Sequence, residues 1–351
     1  MQHSYNLKMN IFLVGKFDTE SFAWHIAQTL NLLGHKVIQF QHGIQYRHSG
    51  FMHQKLNSIE LVVERTFWNT AYIENKTLKR LNKALLNQPI DITICTHDFL
   101  RPSEVDFIIE KTKAPITLWF PDAVVNFGRH MFLNANYTTL FFKDVFIVER
   151  LKAEFPTKHI VYLPECCNPL VHKKYEATNS DVAKYSCDIT TAGNLYANRI
   201  LFFNQLAKYN WDIKIWGNPA AKWMNANTVS KYIKNEYVLD EQKGLAFSLA
   251  KIVTNNLHPG EIDGINCRAF EIPALFGFQL ISHRNCISEL FEIGKEIETY
   301  KSYDELIDKL QYYLKNDTAR NAIKQAGYNR VHSQHTYTNR LQILLTTTLQ
   351  N

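Results

Sequence analysis

Asp263-Gly264-Ile265-Asn266-Cys267-Arg268-Ala269-Phe270-Glu271-Ile272-Pro273-Ala274-Leu275 places two carboxylates eight positions apart, with an asparagine and an arginine between them, where a loop runs into an apolar helix. A loop-to-helix junction offers free backbone N–H groups and the positive end of the helix dipole, which suits a phosphate. A carboxylate inside the helix can accept from a pair of sugar hydroxyls, and an arginine beside it can pair with a diphosphate in a forked geometry. These are the groups a nucleotide-sugar needs. The plainer readings are a glutamate that complements the dipole and an Asp-Gly pair that forms a turn.

Outward from this stretch the chain alternates strand and helix patterns. Asn10–Val14 is a β-rich apolar run, Gly15 opens a loop, Phe22 to Leu33 has helical spacing and Lys36–Phe40 begins another strand. That order is a βαβ unit with a parallel sheet. It contains no GxGxxG, so a dinucleotide site is not supported. Further strands are expected at Asp91–Cys95, Ile116–Phe120, Val145–Val148 and Ile160–Leu163, with a helix from about Pro102. Pro164 to Ser186 carries prolines and the polar run Glu176 to Lys184, and reads as the linker. A second alternating series starts at Cys187–Ala192. We expect an N-terminal Rossmann-like domain over 1–170, a C-terminal one over 171–335, and a closing helix in 336–351.

The 263–275 stretch resembles the signature of GT-B glycosyltransferases of the glycosyl transferases group 1 type, especially the spore-maturation CgeB-like branch. There a D/E-x7-E spacing recurs inside a pattern close to N-x-R-x-F-E-x-x-A-x-G. The order of elements around Asn255-Asn256-Leu257-His258 follows the same family, as do Gly193 to Arg199, Ile213–Gly217 and the closing helices. Phe276 departs from it, standing where a small residue is usual. The resemblance implies an α/β GT-B fold, two Rossmann-like domains with an interdomain cleft. It implies a hexosyltransferase using a nucleoside diphosphate-sugar of UDP or GDP type, without a metal or other cofactor and with retention of configuration. The acceptor would be a hydroxyl of a glycan, a lipid-linked glycan or a protein.

Carried onto this chain, the resemblance gives Glu271 the donor ribose hydroxyls and Asp263 the donor hexose or the ordering of its loop. Arg268, and Arg199 six residues after Gly193, would neutralise the diphosphate, whose charge grows as it departs. Asn266 would bond the donor or the loop backbone. Gly217 would let the backbone approach the base, and Gly15 would let the first loop approach the diphosphate or acceptor. His258, following a strand, is a candidate to face the leaving group. Asp122 and Asp98 are rival candidates for a base, which only an inverting reaction requires.

Composition limits the alternatives. The chain has 351 residues, 46% apolar and 21% charged, as expected of about two globular domains. The net charge of +6 is evenly spread, with 18 Lys+Arg against 15 Asp+Glu in residues 1–165 and 21 against 18 in 166–351. That argues against a dedicated nucleic-acid domain, which usually shows a clustered basic footprint. The N-terminal apolar run is too short for a signal or a span, and six cysteines without metal spacing read as reduced thiols in a cytoplasm. Lys76, Lys79, Arg80 and Lys83 share one face of a helix expected from about Trp68 to Leu86. That face is either simply solvated or a peripheral contact for anionic lipid at the inner membrane face or an acidic acceptor. Two other classes stay open: a nucleotide-sugar epimerase or hydrolase, and a non-catalytic binding or structural protein.

Overall fold

The computed structural model describes residues 8–41, 66, 70–127 and 130–350; the helix start expected at Trp68 lies outside the described residues. Two compact units emerge, one of Met1–Lys143, Ile147–Leu163 and Leu341–Asn351, the other of Asp144–Phe146 and Pro164–Arg340.

The first unit follows the order β1 (Asn10–Gly15), α1 (Phe22–Leu32), β2 (Lys36–Gln41), α2 (Ala71–Leu85), β3 (Ile92–Thr96), α3 (Pro102–Thr112), β4 (Ile116–Phe120), α4 (Met131–Asn134), β5 (Thr139–Phe142), α5 (Val145–Glu154) and β6 (Ile160–Tyr162). Its strands form one parallel sheet in the order β2-β1-β3-β4-β5-β6. Every residue of β3, β4 and β5 is buried, as expected of parallel strands covered on both faces. Phe12, Leu81, Ile116, Phe132 and Phe142 belong to its core. Because β1 pairs with both β2 and β3, the strand order reverses there, and the carboxyl ends of those strands are where such sheets receive ligands.

Local chemistry explains the element ends. The Ser21 hydroxyl accepts from the Trp24 N–H at the start of α1, and Pro102 opens α3, where its missing N–H costs nothing. One expectation fails. Val145–Val148 is the first turn of α5, and the strand is Thr139–Phe142. The apolar positions 145, 147, 148 and 151 recur at helical spacing with Glu149, Arg150 and Lys152 between them, a period that a four-residue window cannot display.

The second unit contains α6 (Asn179–Tyr185), β7 (Cys187–Ala192), α7 (Ala197–Leu206), β8 (Ile213–Trp216), α8 (Asp240–Ser248), β9 (Ala250–Asn255), α9 (Arg268–Ala274), β10 (Gln279–Ser282), α10 (Ile287–Leu290), β11 (Glu298–Tyr300), α11 (Tyr303–Lys315), α12 (Asp317–Gln334) and the start of α13 (Tyr337–Leu349). Its parallel sheet has the order β11-β10-β9-β7-β8. The reversal falls between β7 and β9, so the loops that follow those two strands flank the ligand end of this sheet. The polar run 176–184 is not all linker: Thr178 caps α6 by accepting from the Asp181 N–H. Among the described residues no helix is long and apolar enough to cross a membrane, and all six cysteines are free thiols.

Candidate functional site

The carboxyl ends of β7 and β8 close on each other. Gly193 (φ +114°) donates its N–H to the Trp216 carbonyl, and Gly217 (φ +149°) donates to that of Glu236. A Cβ on Gly217 would stand 2.4 Å from the Gly193 carbonyl oxygen. Both backbone conformations and this close approach require glycine.

Two guanidiniums converge over that crossing. Arg199, in the first turn of α7, is 3% exposed and donates from Nη1 to the Asn194 carbonyl at 2.7 Å. Arg268 opens α9 and donates from Nη1 to the Ala192 carbonyl at 3.4 Å. A Cβ on Gly193 would lie 2.9 Å from Nη1 of Arg268 and 3.5 Å from Nη1 of Arg199. Among the described residues neither arginine has a carboxylate partner, and the buried Nε of each lacks a hydrogen-bond acceptor. Burial and the facing Arg268 charge push the Arg199 guanidinium down to about 9. Two facing cations with unused donors would suit an anion.

Glu271 lies one turn beyond Arg268 and is 8% exposed. Its Oε2 is 3.4 Å from Lys243 Nζ of α8, and its Oε1 is 3.7 Å from His172 Nε2. Burial, then the Lys243 charge, holds His172 well below its ordinary range, so the imidazole is neutral. It accepts the Asn168 N–H at Nδ1.

Pro273, inside α9, deprives the Ala269 carbonyl of its helical donor. The Gln279 side chain supplies one, donating from Nε2 at 3.1 Å. Gln279 in turn accepts from Asn255, which exchanges two 3.0 Å amide bonds with Asn266. Asn266 therefore ties the loop to the ends of β9 and β10. Asp263 accepts the Cys286 N–H at 3.2 Å, while Asp144 accepts the N–H groups of Ile262 and Asp263. Both carboxylates thus order the acidic loop. His258 accepts the Gly260 N–H at Nδ1 (3.0 Å), and its ring meets that of Tyr196 in a T-shaped arrangement, with centroids 5.7 Å apart.

In the first unit, Gly15 is glycine for packing: a Cβ would stand 2.4 Å from that of Ala23 and 2.6 Å from Thr96 Oγ1. Asp98 spends both oxygens as a cap, accepting the N–H groups of Met131 (2.8 Å) and Phe132 (3.0 Å) at the start of α4. Burial nevertheless raises its carboxyl. Asp122 instead pairs with His97 Nε2 at 3.4 Å. Burial works against its charge, but His97, Lys143 and Lys16 outweigh it and hold the carboxyl below its usual range. His97 has φ +66°, uncommon for a residue with a side chain and a frequent mark of a functional position. Lys76, Lys79 and Lys83 are exposed on α2. Arg80 leaves that stripe, donating to the Gln41 carbonyl at 2.6 Å and lying over the Phe40 ring.

Sequence reasoning brought Arg199, Arg268, Gly193 and Gly217 to one place, and the structure assembles them. It did not single out Lys243, His172, Gln279, Asp144, His97 or Tyr196. A lone lysine in the largely apolar run 243–247 was the available sign of Lys243.

The family described as "Glycosyl transferase-like" matches residues 199–346, a span that includes Arg199, His258, Asp263, Arg268 and Glu271. No curated protein matches the sequence. Among solved structures the chain resembles a glycosyltransferase from Rickettsia africae (13% identity, 97% of this chain and 98% of that one, TM-score 0.65). It also resembles the sucrose-phosphate synthase of Thermosynechococcus elongatus (10%, 97% and 99%, 0.69). A third likeness is to Anabaena HepE, solved with UDP-glucose (10%, 97% and 99%, 0.63). The fold is thus that of the GT-B glycosyltransferases, and Arg199, Gly217 and Arg268 lie within the span that the glycosyl transferase-like family matches.

Proposed function

We propose that the chain is a glycosyltransferase that moves a hexose-type sugar from a nucleoside diphosphate donor, of UDP or GDP type, to a hydroxyl of a glycan, lipid-linked glycan or protein. The observation that carries this reading is the pair of guanidiniums at Gly193, without a carboxylate partner among the described residues. A diphosphate between them would relieve their repulsion and use their free donors. Its charge grows as the anomeric C–O bond breaks, so the same two groups favour departure over the ground state. This provides for leaving-group stabilisation without a metal. Glu271, buried yet one turn from Arg268, would accept the ribose hydroxyls. HepE, a structural neighbour, is solved with UDP-glucose, which supports a donor of this class.

Retention of configuration requires no base on the acceptor side. Asp98, with both oxygens engaged, fits that reading, and Asp122 would then serve to bind the acceptor. The place in the CgeB-like branch rests on the pattern around Glu271. The exposed Lys76, Lys79 and Lys83 would suit an anionic surface, and free thiols suit the cytoplasm.

Calorimetry with UDP-, GDP-, dTDP- and CMP-sugars tests the proposal on wild type and Glu271→Gln. One donor should bind at micromolar affinity, weakened more than about tenfold by the substitution, which is about 1.4 kcal/mol. A protein that binds none of them is not a transferase of this kind.

A further inference from the structure

Tyr196 is the last residue before α7, and its carbonyl accepts the Arg199 N–H at 3.0 Å. Its side chain is 49% exposed. An exposed tyrosine alone requires no explanation. Three features distinguish this one. It lies three residues from Gly193 on the loop that carries the two-guanidinium site. It belongs to the loop after β7, and its ring meets His258, from the loop after β9, at an interplanar angle of 78°. Those are the two loops at which the strand order of this sheet reverses. Finally, its side chain lies within electrostatic reach of the Arg199 guanidinium.

The His258 ring accepts at Nδ1 from Gly260, so its proton is on Nε2 and that N–H is a donor. The exposed aromatic face and this N–H therefore lie in the loops beside the anion site. That combination matches a pyranose joined to a diphosphate. The C–H face of the sugar ring is apolar and covers an aromatic ring well, while its hydroxyls take an N–H donor. We infer that Tyr196 is a sugar-binding residue, stacking on the hexose of the donor, with His258 buttressing its ring and bonding a sugar hydroxyl. This rests on the donor reading above and adds the hexose contact to it.

Binding of UDP and of UDP-glucose, or of GDP and GDP-mannose should the donor panel select guanosine, separates the two ideas. For wild type the sugar should add affinity over the bare nucleotide. Tyr196→Ala should lose about three- to tenfold toward the nucleotide-sugar and less than about twofold toward the nucleotide. Tyr196→Phe, which keeps the ring, should retain both. Equal losses for nucleotide and nucleotide-sugar would show that Tyr196 serves the phosphates or the base and overturn the inference. So would an Ala variant with no loss, or a Phe variant as weak as the Ala one. If Tyr196→Ala melts below wild type, Tyr196→Leu carries the same comparison. A wild type that binds neither compound defeats the donor reading itself; one that binds both, with the sugar increment intact in every variant, defeats only the stacking.

Discussion

Replacing Arg268 by methionine should raise the stability of the ligand-free protein while abolishing its response to diphosphate. The two Nη1 nitrogens lie 2.9 Å and 3.5 Å from a single point above Gly193. They are therefore no more than about 6 Å apart, which at an effective dielectric of about 20 gives about 3 kcal/mol of repulsion. Burial adds to this, since Arg199 is 3% exposed and its charge has no carboxylate partner among the described residues. Methionine keeps most of the apolar stem. It gives up the 3.4 Å bond to the Ala192 carbonyl, worth about 1 kcal/mol. The balance is a gain of about 1–2 kcal/mol, or a Tm higher by about 2–6 °C. Ligand reverses the order. Diphosphate at a hundredfold over Kd stabilises wild type by about 2.7 kcal/mol, and Arg268→Met by almost nothing. Melting curves with and without UDP therefore cross: the variant melts higher in buffer, wild type higher with nucleotide. A variant that melts below wild type in buffer and still gains from UDP would refute the view that these cations are held together for an anion.

Gly217→Ala should cost more than about 3 kcal/mol in chemical denaturation, because φ is +149° and the new Cβ would stand 2.4 Å from a backbone oxygen. Asp98→Ala should cost about 1–2 kcal/mol, the value of a helix cap, with UDP affinity unchanged; a loss of affinity would assign the carboxylate to the ligand. His335 supplies a pH dependence. Burial, then Arg340, lowers it to about 4 from 6.5, its Nε2 facing the Leu290 carbonyl and its Nδ1 facing Arg340. Between those values the unfolded chain binds the extra proton, so stability is full above about pH 6.5 and falls on the order of 3 kcal/mol by pH 4. Urea titrations across that range should show the fall in wild type and a smaller one in His335→Gln.

What could be read from sequence was what lies close together in sequence. Asp263, Arg268 and Glu271 share one loop and one helix, so their spacing and the family resemblance resting on it singled them out, and the resemblance did the same for Gly193 with Arg199 on the loop after β7. The partners of Glu271 escaped because they come from elsewhere: Lys243 is 28 positions away, and His172 lies in the stretch read as linker. Asp98 looked like a base since it follows a strand. Its actual partners, Met131 and Phe132, are 33 and 34 positions on, a distance no local pattern spans. Thr139–Phe142 was missed as a strand for a related reason: four residues buried on both faces display no alternation. Arg80 had the right spacing for the basic stripe, and only the fold shows its carbonyl acceptor at Gln41.

Neither compact unit is a continuous piece of chain. Asp144, which accepts the N–H groups of Ile262 and Asp263, departs from the run of the first unit to serve the second, and Leu341–Asn351 returns to the first. On the ribosome, domains generally fold as they emerge, amino-terminal first. Here the first unit must wait for residues 341–350, including the buried Leu341 and Leu344, which follow the whole of the second, before it is complete. A single proteolytic cut near residue 163 would not release two intact halves. Residues 341–350, which complete the first unit, are made only after those of the second.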